Sequence, residues 1–253
     1  MIILRVKGGL GNQLFIINYA FFLKSMNKKV FLDTRSGFLR DSYKRKYEID
    51  QVFNGHALVN FNLLIPLSYL VRIFSKKKKS NFLGIKFYED YYQNKKFYKR
   101  STIKYLKDKI SFTVRELNII KKYNLISNEN SVVLHFRLVQ FDNLDLNYYK
   151  KAIKKIFEKI KSPTFYVFSD DISKVSKIIE TLKISNNVIL VEDINSSVIE
   201  FKLMTLANNF IIANSTFSLW ASLLSNLANN SIKIAPKEIL TFGDVIPNNY
   251  KIY

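Results

Sequence analysis

The sequence predicts an α/β protein made of two Rossmann-like halves, each with a parallel sheet. Three observations support this fold class. The chain opens with a short apolar strand, a glycine-rich turn and a helical pattern. Its second half alternates short apolar strands with helical patterns of about 10 to 15 residues, which is typical of βαβ units. Polar clusters follow several of these strands, at the position where parallel sheets bind their ligands.

The composition of the 253 residues is that of a folded globular protein. Hydrophobic residues make up 48% and charged residues 24%, which excludes disorder for most of the chain. This length corresponds to one large domain or two small ones. The chain has no cysteine, and this excludes disulfides, thiolate zinc sites and a cysteine nucleophile. Its 2 histidines are too few for a multi-histidine metal centre.

The charge of the chain predicts an anionic partner. The 40 Lys and Arg against 20 Asp and Glu give a formal net charge of +20. Nucleic acid, an anionic membrane surface or a phosphorylated substrate would each complement this charge. We find no signal-peptide pattern and no apolar stretch of about 18 residues. We therefore expect a cytoplasmic protein without a membrane-spanning helix.

The first half begins with the predicted strand Ile2–Val6, which ends at the glycine turn Gly8–Gly11. Apolar residues between positions 14 and 22 then recur at helical spacing. Lys29–Asp33 has the pattern of a second strand. This order of strand, glycine turn, helix and strand is typical of α/β nucleotide-binding folds.

The middle of the chain has a weaker pattern. Asn60–Phe74 is apolar but is interrupted by Pro66, and the lysine run Lys76–Lys79 follows it. The combination of an apolar face and a basic cluster is consistent with a membrane-surface contact formed by Asn60–Lys79. The alternative is an ordinary core helix followed by a solvated run of charges. The pattern does not decide between the two interpretations.

A polar, turn-forming stretch near residues 124–131 separates the two halves. We therefore expect one domain over residues 1–125 and a second over residues 126–253. Five apolar runs in the second domain predict strands, and the segments between them predict helices. The predicted strands are Val132–Phe136, Phe165–Phe168, Val188–Val191, Phe210–Ala213 and Ile232–Ala235. The predicted helices lie near residues 147–161, 173–183, 197–208 and 217–227.

Two polar clusters at strand ends predict a nucleotide-sugar donor site. In the first, His135-Phe136-Arg137, the histidine could be a hydrogen-bonded core residue, but Arg137 faces the same side and suits bidentate phosphate binding. The second, Asn214-Ser215-Thr216, is a helix cap whose hydroxyls and free backbone amides also suit phosphate. An arginine and a helix N-terminus on adjacent strand ends would bind a diphosphate. A third cluster, Ser169-Asp170-Asp171, is either a helix cap or part of the same site.

The glycine turn allows two interpretations. Gly9 and Gly11 lack the third glycine of the dinucleotide fingerprint, although Asp33 lies near the distance expected of a ribose-binding acid. The adjacent amide side chains of Asn12 and Gln13 suit sugar hydroxyls instead. We take Asn12 as a candidate catalytic residue.

These motifs together resemble those of the bacterial and animal α-1,2-fucosyltransferases, glycosyltransferase family 11. The resemblance runs in order over nearly the whole chain, and only residues 55–130 lack a clear counterpart. The matching motifs are Gly8 to Phe15 with Tyr19-Ala20, Leu32-Asp33, Tyr47 to Asp50, Tyr148-Tyr149 with Ala152, Phe165 to Asp171, Phe201 to Met204 and Ile211 to Trp220.

The resemblance implies a GT-B-like architecture and an inverting, metal-independent transfer of fucose from GDP-fucose to a sugar hydroxyl. The implied target is galactose O2 of a surface-polysaccharide or O-antigen acceptor, either free or lipid-linked. No cofactor is expected. The implied role of the second half is donor binding, and the first half is the acceptor side. The donor-binding candidates are Gly9, Gly11, His135, Arg137, Asp170, Glu200, Asn214, Ser215, Thr216, Phe217 and Ser218.

Individual roles also follow from the resemblance. His135 lies toward guanine, Arg137 binds the diphosphate, Ser215–Ser218 forms a second phosphate-binding segment and Glu200 contacts guanine. The candidate catalytic residues are Arg137, Asp142 and Asn12.

The chain departs from the family pattern His-x-Arg-Arg-x-Asp after His135. Leu138 replaces the second arginine and Gln140 replaces the acid, while Asp142 follows two residues later and is our candidate for that acid. A same-fold enzyme that uses another nucleotide sugar is therefore an alternative. A basic nucleic-acid-binding protein is a remote one, because no aromatic stacking motif or DNA-binding helix stands out. We expect a GDP-sugar and an oligosaccharide as partners, no nucleic acid, and a peripheral position on the inner face of the cytoplasmic membrane.

Overall fold

The structure is a computed structural model that describes residues 1–53, 70–71, 78–139, 145–184, 187–225, 231–237 and 244–253. The chain divides into two compact units, Met1–Ser111 and Phe112–Tyr253. Each unit is built on its own sheet. The predicted α/β fold with two Rossmann-like parts is confirmed.

The first unit contains a four-stranded sheet with the order β2-β1-β4-β3. Strand β1 pairs in parallel with β2 and β4, while β3 and β4 form an antiparallel hairpin. All of β1 is buried, as expected of a strand with neighbours on both sides. The strands are β1 (Ile2–Arg5), β2 (Val30–Asp33), β3 (Lys79–Phe82) and β4 (Ile85–Tyr88). The helices are α1 (Leu10–Lys24), α2 (Ile49–Val52), a 3₁₀ helix (Lys95–Phe97) and α3 (Arg100–Asp108).

The glycine turn connects β1 to α1. Gly8 has a φ of 78°, a conformation that other residues adopt only at a cost. A Cβ at this position would also lie 3.0 Å from the Asn12 side chain and 3.1 Å from the Tyr91 ring. Gly9 then provides the extended N-cap of α1. The glycines therefore allow the helix to begin directly beside the end of the strand.

The second unit contains a six-stranded sheet in which all the pairings are parallel. The order is β10-β9-β8-β5-β6-β7, which is the strand order of the doubly wound dinucleotide-binding fold when β5 is counted first. The strands are β5 (Ser131–Phe136), β6 (Thr164–Ser169), β7 (Val188–Leu190), β8 (Asn209–Ile211), β9 (Lys233–Ala235) and β10 (Lys251–Ile252). The helices are α4 (Val114–Ile120), a 3₁₀ helix (Lys121–Ser127), α5 (Leu146–Phe157), α6 (Ile172–Leu182), α7 (Ser197–Thr205) and α8 (Thr216–Leu224).

Two tyrosines of α5 fix the carboxyl ends of the central strands. The Tyr149 hydroxyl donates to the carbonyl of His135 at 2.9 Å. The Tyr148 hydroxyl donates to the carbonyl of Ile212 at 2.7 Å. Both side chains are buried, so the hydrogen bonds satisfy polar groups that would otherwise be costly in the core.

Each strand that the sequence predicts is present, with bounds that agree to within two residues. The hairpin β3–β4, helices α3 and α4 and strand β10 were not predicted. Most of these segments are short, and lysine and tyrosine residues surround the few apolar positions of α3. The boundary between the two compact units lies between Ser111 and Phe112, whereas the sequence pattern predicts a boundary between residues 125 and 126. The buried ion pair from Glu116 in α4 to Lys202 in α7 ties the intervening segment to the second unit.

The predicted contact over Asn60–Lys79 falls almost entirely outside the described residues. Only residues 70, 71, 78 and 79 of that segment are described. Within the described part of the chain, no helix is both long enough and apolar enough to cross a bilayer.

Candidate functional site

The second sheet has a crevice where its strand order reverses. From β5 the chain adds β6 and β7 on one side, and from α7 it returns to add β8, β9 and β10 on the other. The connections that follow β5 and β8 therefore diverge at neighbouring carboxyl ends, and ligands of such sheets bind there. The His135 ring and the Phe217 ring come within 6.2 Å across this point, between centroids. The structure thus brings the two clusters that follow β5 and β8 together.

His135 is buried at this crevice, with 5% of its surface exposed. Burial and, to a smaller extent, the neighbouring Arg137 charge lower the pKa of its imidazole to about 4, although the Asp170 charge acts in the opposite direction. The ring is therefore neutral near pH 7. Its Nδ1 atom has no hydrogen-bond partner among the residues that the structure describes. A buried nitrogen without a partner is rare and costly, which favours a ligand-binding role over that of a satisfied core residue.

Arg137 and Asp170 form an ion pair at the ends of the adjacent strands β5 and β6. Nη1 of Arg137 lies 2.9 Å from Oδ2 of Asp170. The same carboxylate accepts hydrogen bonds from the backbone N–H groups of Leu138 at 2.7 Å and Val139 at 3.2 Å. Asp170 therefore organises the segment that follows β5, and the residue at the N-cap of α6 is Asp171.

Glu200 lies in the first turn of α7, which Ser196 caps through a hydrogen bond from the Ile199 N–H group. Burial raises the pKa of Glu200 to about 7, and the negative charge of Asp170 contributes to the increase. The helix thus places Glu200 close enough to Asp170 for the two charges to interact. A carboxyl group whose pKa is raised by burial and by a neighbouring charge is typical of a ligand-binding site.

Helix α8 directs its N-terminus to the same crevice. Ser215 is the N-cap, and its hydroxyl accepts a hydrogen bond from the Phe217 N–H group at 3.2 Å. The free N–H groups of a helix start and the helix dipole together attract anions. Ser218 is fully buried and its hydroxyl is directed at the Ser215 carbonyl. The ring of Phe217 also contacts the ring of Phe201 in α7, with a centroid distance of 5.5 Å.

The predicted residues of the first unit fall into two groups. Both N–H bonds of the buried Gln13 amide are used, by the carbonyls of Gly8 and Lys46. Its oxygen accepts from the Glu48 N–H group, so Gln13 holds residues 46–48 against the glycine turn and does not offer its amide nitrogen to a sugar. Asn12 differs, since it is only partly buried and its Oδ1 accepts from Gln93 at 2.9 Å.

Asp33 does not have the surroundings expected of a ribose-binding acid. It is buried, and it accepts hydrogen bonds from the Ser36 N–H group at 2.9 Å and from the Ser36 hydroxyl. The Arg5 guanidinium lies 3.8 Å away and also pairs with Glu89. Asp33 therefore belongs to the polar network at the carboxyl end of the first sheet.

Two buried polar contacts of the second unit were not predicted from the sequence. They are the ion pair of Lys202 with Glu116 and the hydrogen bond of Tyr149 to the His135 carbonyl. Lys202 and Tyr149 lie inside hydrophobic helical patterns, where a buried polar role leaves no signal. Asp142, the candidate acid, and Gln140 lie outside the described residues. In the part of the chain that is described, no group of three or more His, Asp or Glu side chains is placed to hold a metal ion.

Comparison with known proteins agrees with this geometry. The model of glycosyl transferase family 11 matches residues 73–241. An α-1,2-colitosyltransferase from Escherichia coli is 27% identical over 93% of this chain and 91% of its own length. The O-antigen biosynthesis glycosyltransferase WbnK from Escherichia coli is 27% identical over 92% of this chain and 93% of its own length.

Two solved structures share the fold. The fucosyltransferase NodZ from Bradyrhizobium has a TM-score of 0.56 at 13% identity, over 88% of this chain and 92% of that one. The structure of POFUT1 in complex with GDP-fucose has a TM-score of 0.51 at 12% identity, over 100% of this chain and 97% of that one. Both are GT-B-like, which confirms the predicted fold class. With the family model matching well over half of its residues, the chain belongs to glycosyltransferase family 11.

Proposed function

We propose that the protein is an inverting, metal-independent glycosyltransferase that moves fucose from GDP-fucose to a hydroxyl, such as galactose O2, of an O-antigen or surface-polysaccharide acceptor. The observation that carries this proposal is the set of groups at the reversal point of the second sheet. A neutral, unsatisfied imidazole, a guanidinium, a carboxylate and a helix N-terminus all meet there. These groups match the parts of a guanosine diphosphate. One relative is named an O-antigen biosynthesis glycosyltransferase, and the POFUT1 structure is a complex with GDP-fucose.

Each group has a chemical role in this proposal. Ionised Glu200 accepts hydrogen bonds from N1 and N2 of guanine, a pair of donors that uracil and adenine do not present together. Arg137 and the N-terminus of α8 bind the diphosphate, with Ser215 and Thr216 providing hydroxyls. His135 supplies its free Nδ1 to the nucleotide, and Asn214 completes the donor-binding set of the second unit.

The transfer breaks the bond between the sugar C1 and the diphosphate oxygen and forms a bond from C1 to the acceptor oxygen. The negative charge that develops on the leaving diphosphate is stabilised by Arg137 and the α8 dipole, so a metal ion is not needed. The acceptor hydroxyl gives its proton to a carboxylate. We assign this role to Asp142, which follows Arg137 closely in the chain. Asn12 of the first unit, the proposed acceptor side, orients the acceptor sugar.

Two observations support a second candidate donor. The chain has Leu138 where the family pattern has a second arginine, and one of its relatives is named a colitosyltransferase. Another GDP-linked deoxysugar, colitose included, is therefore the alternative donor.

The test is a transfer assay with a panel of GDP-sugars and a lipid-linked oligosaccharide acceptor, preceded by thermal unfolding with GDP or UDP. We expect GDP to raise the unfolding temperature, UDP not to do so, and EDTA to leave transfer unchanged. Equal stabilisation by GDP and UDP would contradict the base assignment. Loss of transfer in EDTA with recovery in Mg²⁺ or Mn²⁺ would contradict the metal-independent mechanism.

We further propose that the enzyme works at the inner face of the cytoplasmic membrane, where a lipid-linked acceptor would lie. The net charge of +20 supports this location because that membrane surface is anionic.

A further inference from the structure

The turn between β3 and β4 exposes two large apolar side chains. Phe82, the last residue of β3, pairs with Ile85, the first residue of β4, so the turn consists of Leu83 and Gly84 alone. Leu83 is 84% exposed and Phe82 is 45% exposed. The folded chain therefore buries little of Leu83 and only about half of Phe82.

The backbone of this turn makes the choice of leucine more unusual. Leu83 has a φ of 49° and Gly84 a φ of 75°, the pattern of the two-residue type I′ turn, in which Asn-Gly is preferred. A leucine in this left-handed conformation suffers a steric cost that asparagine or glycine largely avoids. Leu83 is thus both strained and exposed, and neither packing nor turn geometry explains it.

The surroundings of the turn are basic. Strands β2, β1 and β4 are parallel, so their amino ends lie along one edge of the first sheet. The turn that precedes β4 and the segment that precedes β2 both lie at this edge, about two strand spacings or 10 Å apart. That segment contains exposed Met26, Lys28 and Lys29, and Lys86 is exposed beside the turn. Neither residues 25–29 nor residues 82–86 include an acidic side chain.

We propose that this edge docks the protein on a bilayer that contains anionic lipid, with Phe82 and Leu83 inserted at the interface. We call it the amino-edge surface and define it by Met26, Lys28, Lys29, Phe82, Leu83 and Lys86. An apolar tip within a ring of lysines combines the two contributions on which interfacial binding depends, burial of apolar area and attraction to anionic headgroups.

The position of the surface suits a membrane-bound enzyme. Asn12 and the glycine turn lie at the carboxyl end of β1, whereas the amino-edge surface lies at the opposite end of the same sheet. Docking would therefore leave the carboxyl end of the first sheet turned away from the lipid. The inference goes beyond the proposed function and does not depend on the identity of the donor or acceptor.

The experiment measures cosedimentation of the full chain with vesicles of phosphatidylcholine and phosphatidylglycerol, and with vesicles of phosphatidylcholine alone. We expect Leu83→Asn to reduce the partition coefficient on the mixed vesicles about tenfold, the order expected for a buried leucine side chain. Lys86→Gln should reduce it about fivefold, and only when anionic lipid is present. Leu83→Asn restores the preferred turn residue, so the variant should fold at least as well as the parent chain.

Matched controls lie in the second unit. Val114 is 77% exposed and Lys122 is exposed, and Val114→Asn and Lys122→Gln should leave vesicle binding unchanged. The shift in unfolding temperature produced by GDP should be the same in every variant. The GDP measurement therefore tests the donor site independently of vesicle binding.

A direct probe of insertion is Leu83→Trp. The single natural tryptophan, Trp220, is fully buried and gives a constant background. We expect the new indole to shift its emission to the blue on mixed vesicles and to be quenched by brominated lipid. Unchanged cosedimentation of Leu83→Asn, or an indole that brominated lipid does not quench, would overturn the proposal. So would a change of oligomeric state in Leu83→Asn without any change in vesicle binding, because the surface would then be a protein interface.

Discussion

The Arg137 guanidinium bonds to Asp170 through Nη1 at 2.9 Å while its side chain keeps 32% of its surface exposed. This arrangement holds the group in position and still leaves N–H donors for an anion. We expect Arg137→Ala to weaken GDP binding about 10- to 100-fold, since a charged hydrogen bond contributes about 1.5–3 kcal/mol. Calorimetric titration with GDP measures this loss. Arg115→Ala, at an exposed position of α4, is the control and should bind GDP like the parent chain.

Glu200 gives the donor site a pH dependence. Burial and the charge of Asp170 raise the pKa of this carboxyl group to about 7, so at pH 6 only about a tenth of it is ionised. If the ionised form binds guanine, GDP affinity should rise about tenfold between pH 6 and pH 8. In Glu200→Gln the affinity should be low at both pH values, and the ratio between this variant and the parent chain isolates Glu200 from the titration of GDP itself.

The sign of the stability effect without ligand is the opposite. A carboxyl group whose pKa is raised on folding favours the folded state below its unfolded pKa, and this contribution is lost as the pH rises toward 7. As the pH falls from 7 to 5, the unfolding temperature of the parent chain should therefore increase relative to that of Glu200→Gln. Parallel curves for the two proteins would show that Glu200 is an ordinary helix-end charge. Asp170→Asn should move the affinity profile to lower pH, because it removes the charge that raises the pKa of Glu200.

At the scale of elements, one buried ion pair fastens α4 to α7. Nζ of Lys202 lies 2.8 Å from Oε1 of Glu116, and the lysine side chain is 1% exposed. Glu116 also forms a capping box with Thr113 at the start of α4. Burial alone would raise the pKa of Glu116, but the bonds from Lys202 and Thr113 outweigh it and lower the pKa below 4.5. The contribution of this group to stability is thus present above pH 4.5 and is lost as the pH falls further.

Removing one partner of this pair should destabilise the fold. We expect Lys202→Met to lower the free energy of unfolding by about 3–5 kcal/mol, because it leaves a buried carboxylate without its cation. Denaturant titration gives the value, and Lys177→Met at an exposed position of α6 is the control. The double variant Glu116→Met/Lys202→Met should lose less than the sum of the single losses. Strict additivity would mean that the two side chains do not stabilise one another.

Elements with a clear local pattern of residues could be predicted from the sequence. Buried parallel strands such as β5 and β6 are continuous apolar runs, and α1 begins where Gly8 and Gly9 permit it. The hairpin β3–β4 was not predicted because its strands mix lysine, serine and aromatic residues without alternation. The site residues were predicted by type and by position at strand ends. The hydrogen bonds between these residues were not predicted. The Asp170 carboxylate accepts from the backbone N–H groups of residues 138 and 139, and this depends on the pairing of β5 with β6.

At the scale of the whole molecule, the chain consists of two compact units, and the second contains all the groups that we assign to GDP. We expect a fragment of residues 112–253 to fold cooperatively and to bind GDP. A fragment that begins at residue 126 should be markedly less stable, because it lacks Glu116 and Tyr123 and leaves Lys202 buried without its partner. Circular dichroism melts and GDP titration of both fragments test this. Equal stability of the two would place the start of the second domain at the later position.

Assembly of the second sheet pairs strands that lie far apart in the sequence and are therefore synthesised at different times. The Asn209 amide at the start of β8 donates to the carbonyl of Glu129, 80 residues earlier in the chain, and β8 then pairs along β5. Contacts of such long range form slowly, because the intervening chain must be ordered before they are gained. Until β8 leaves the ribosome, β5 presents an unpaired edge on which other chains can aggregate. A nascent chain that stops between α7 and β8 would therefore expose the edge of β5, a strand that is buried in the folded protein. It would also be unable to bind the nucleotide.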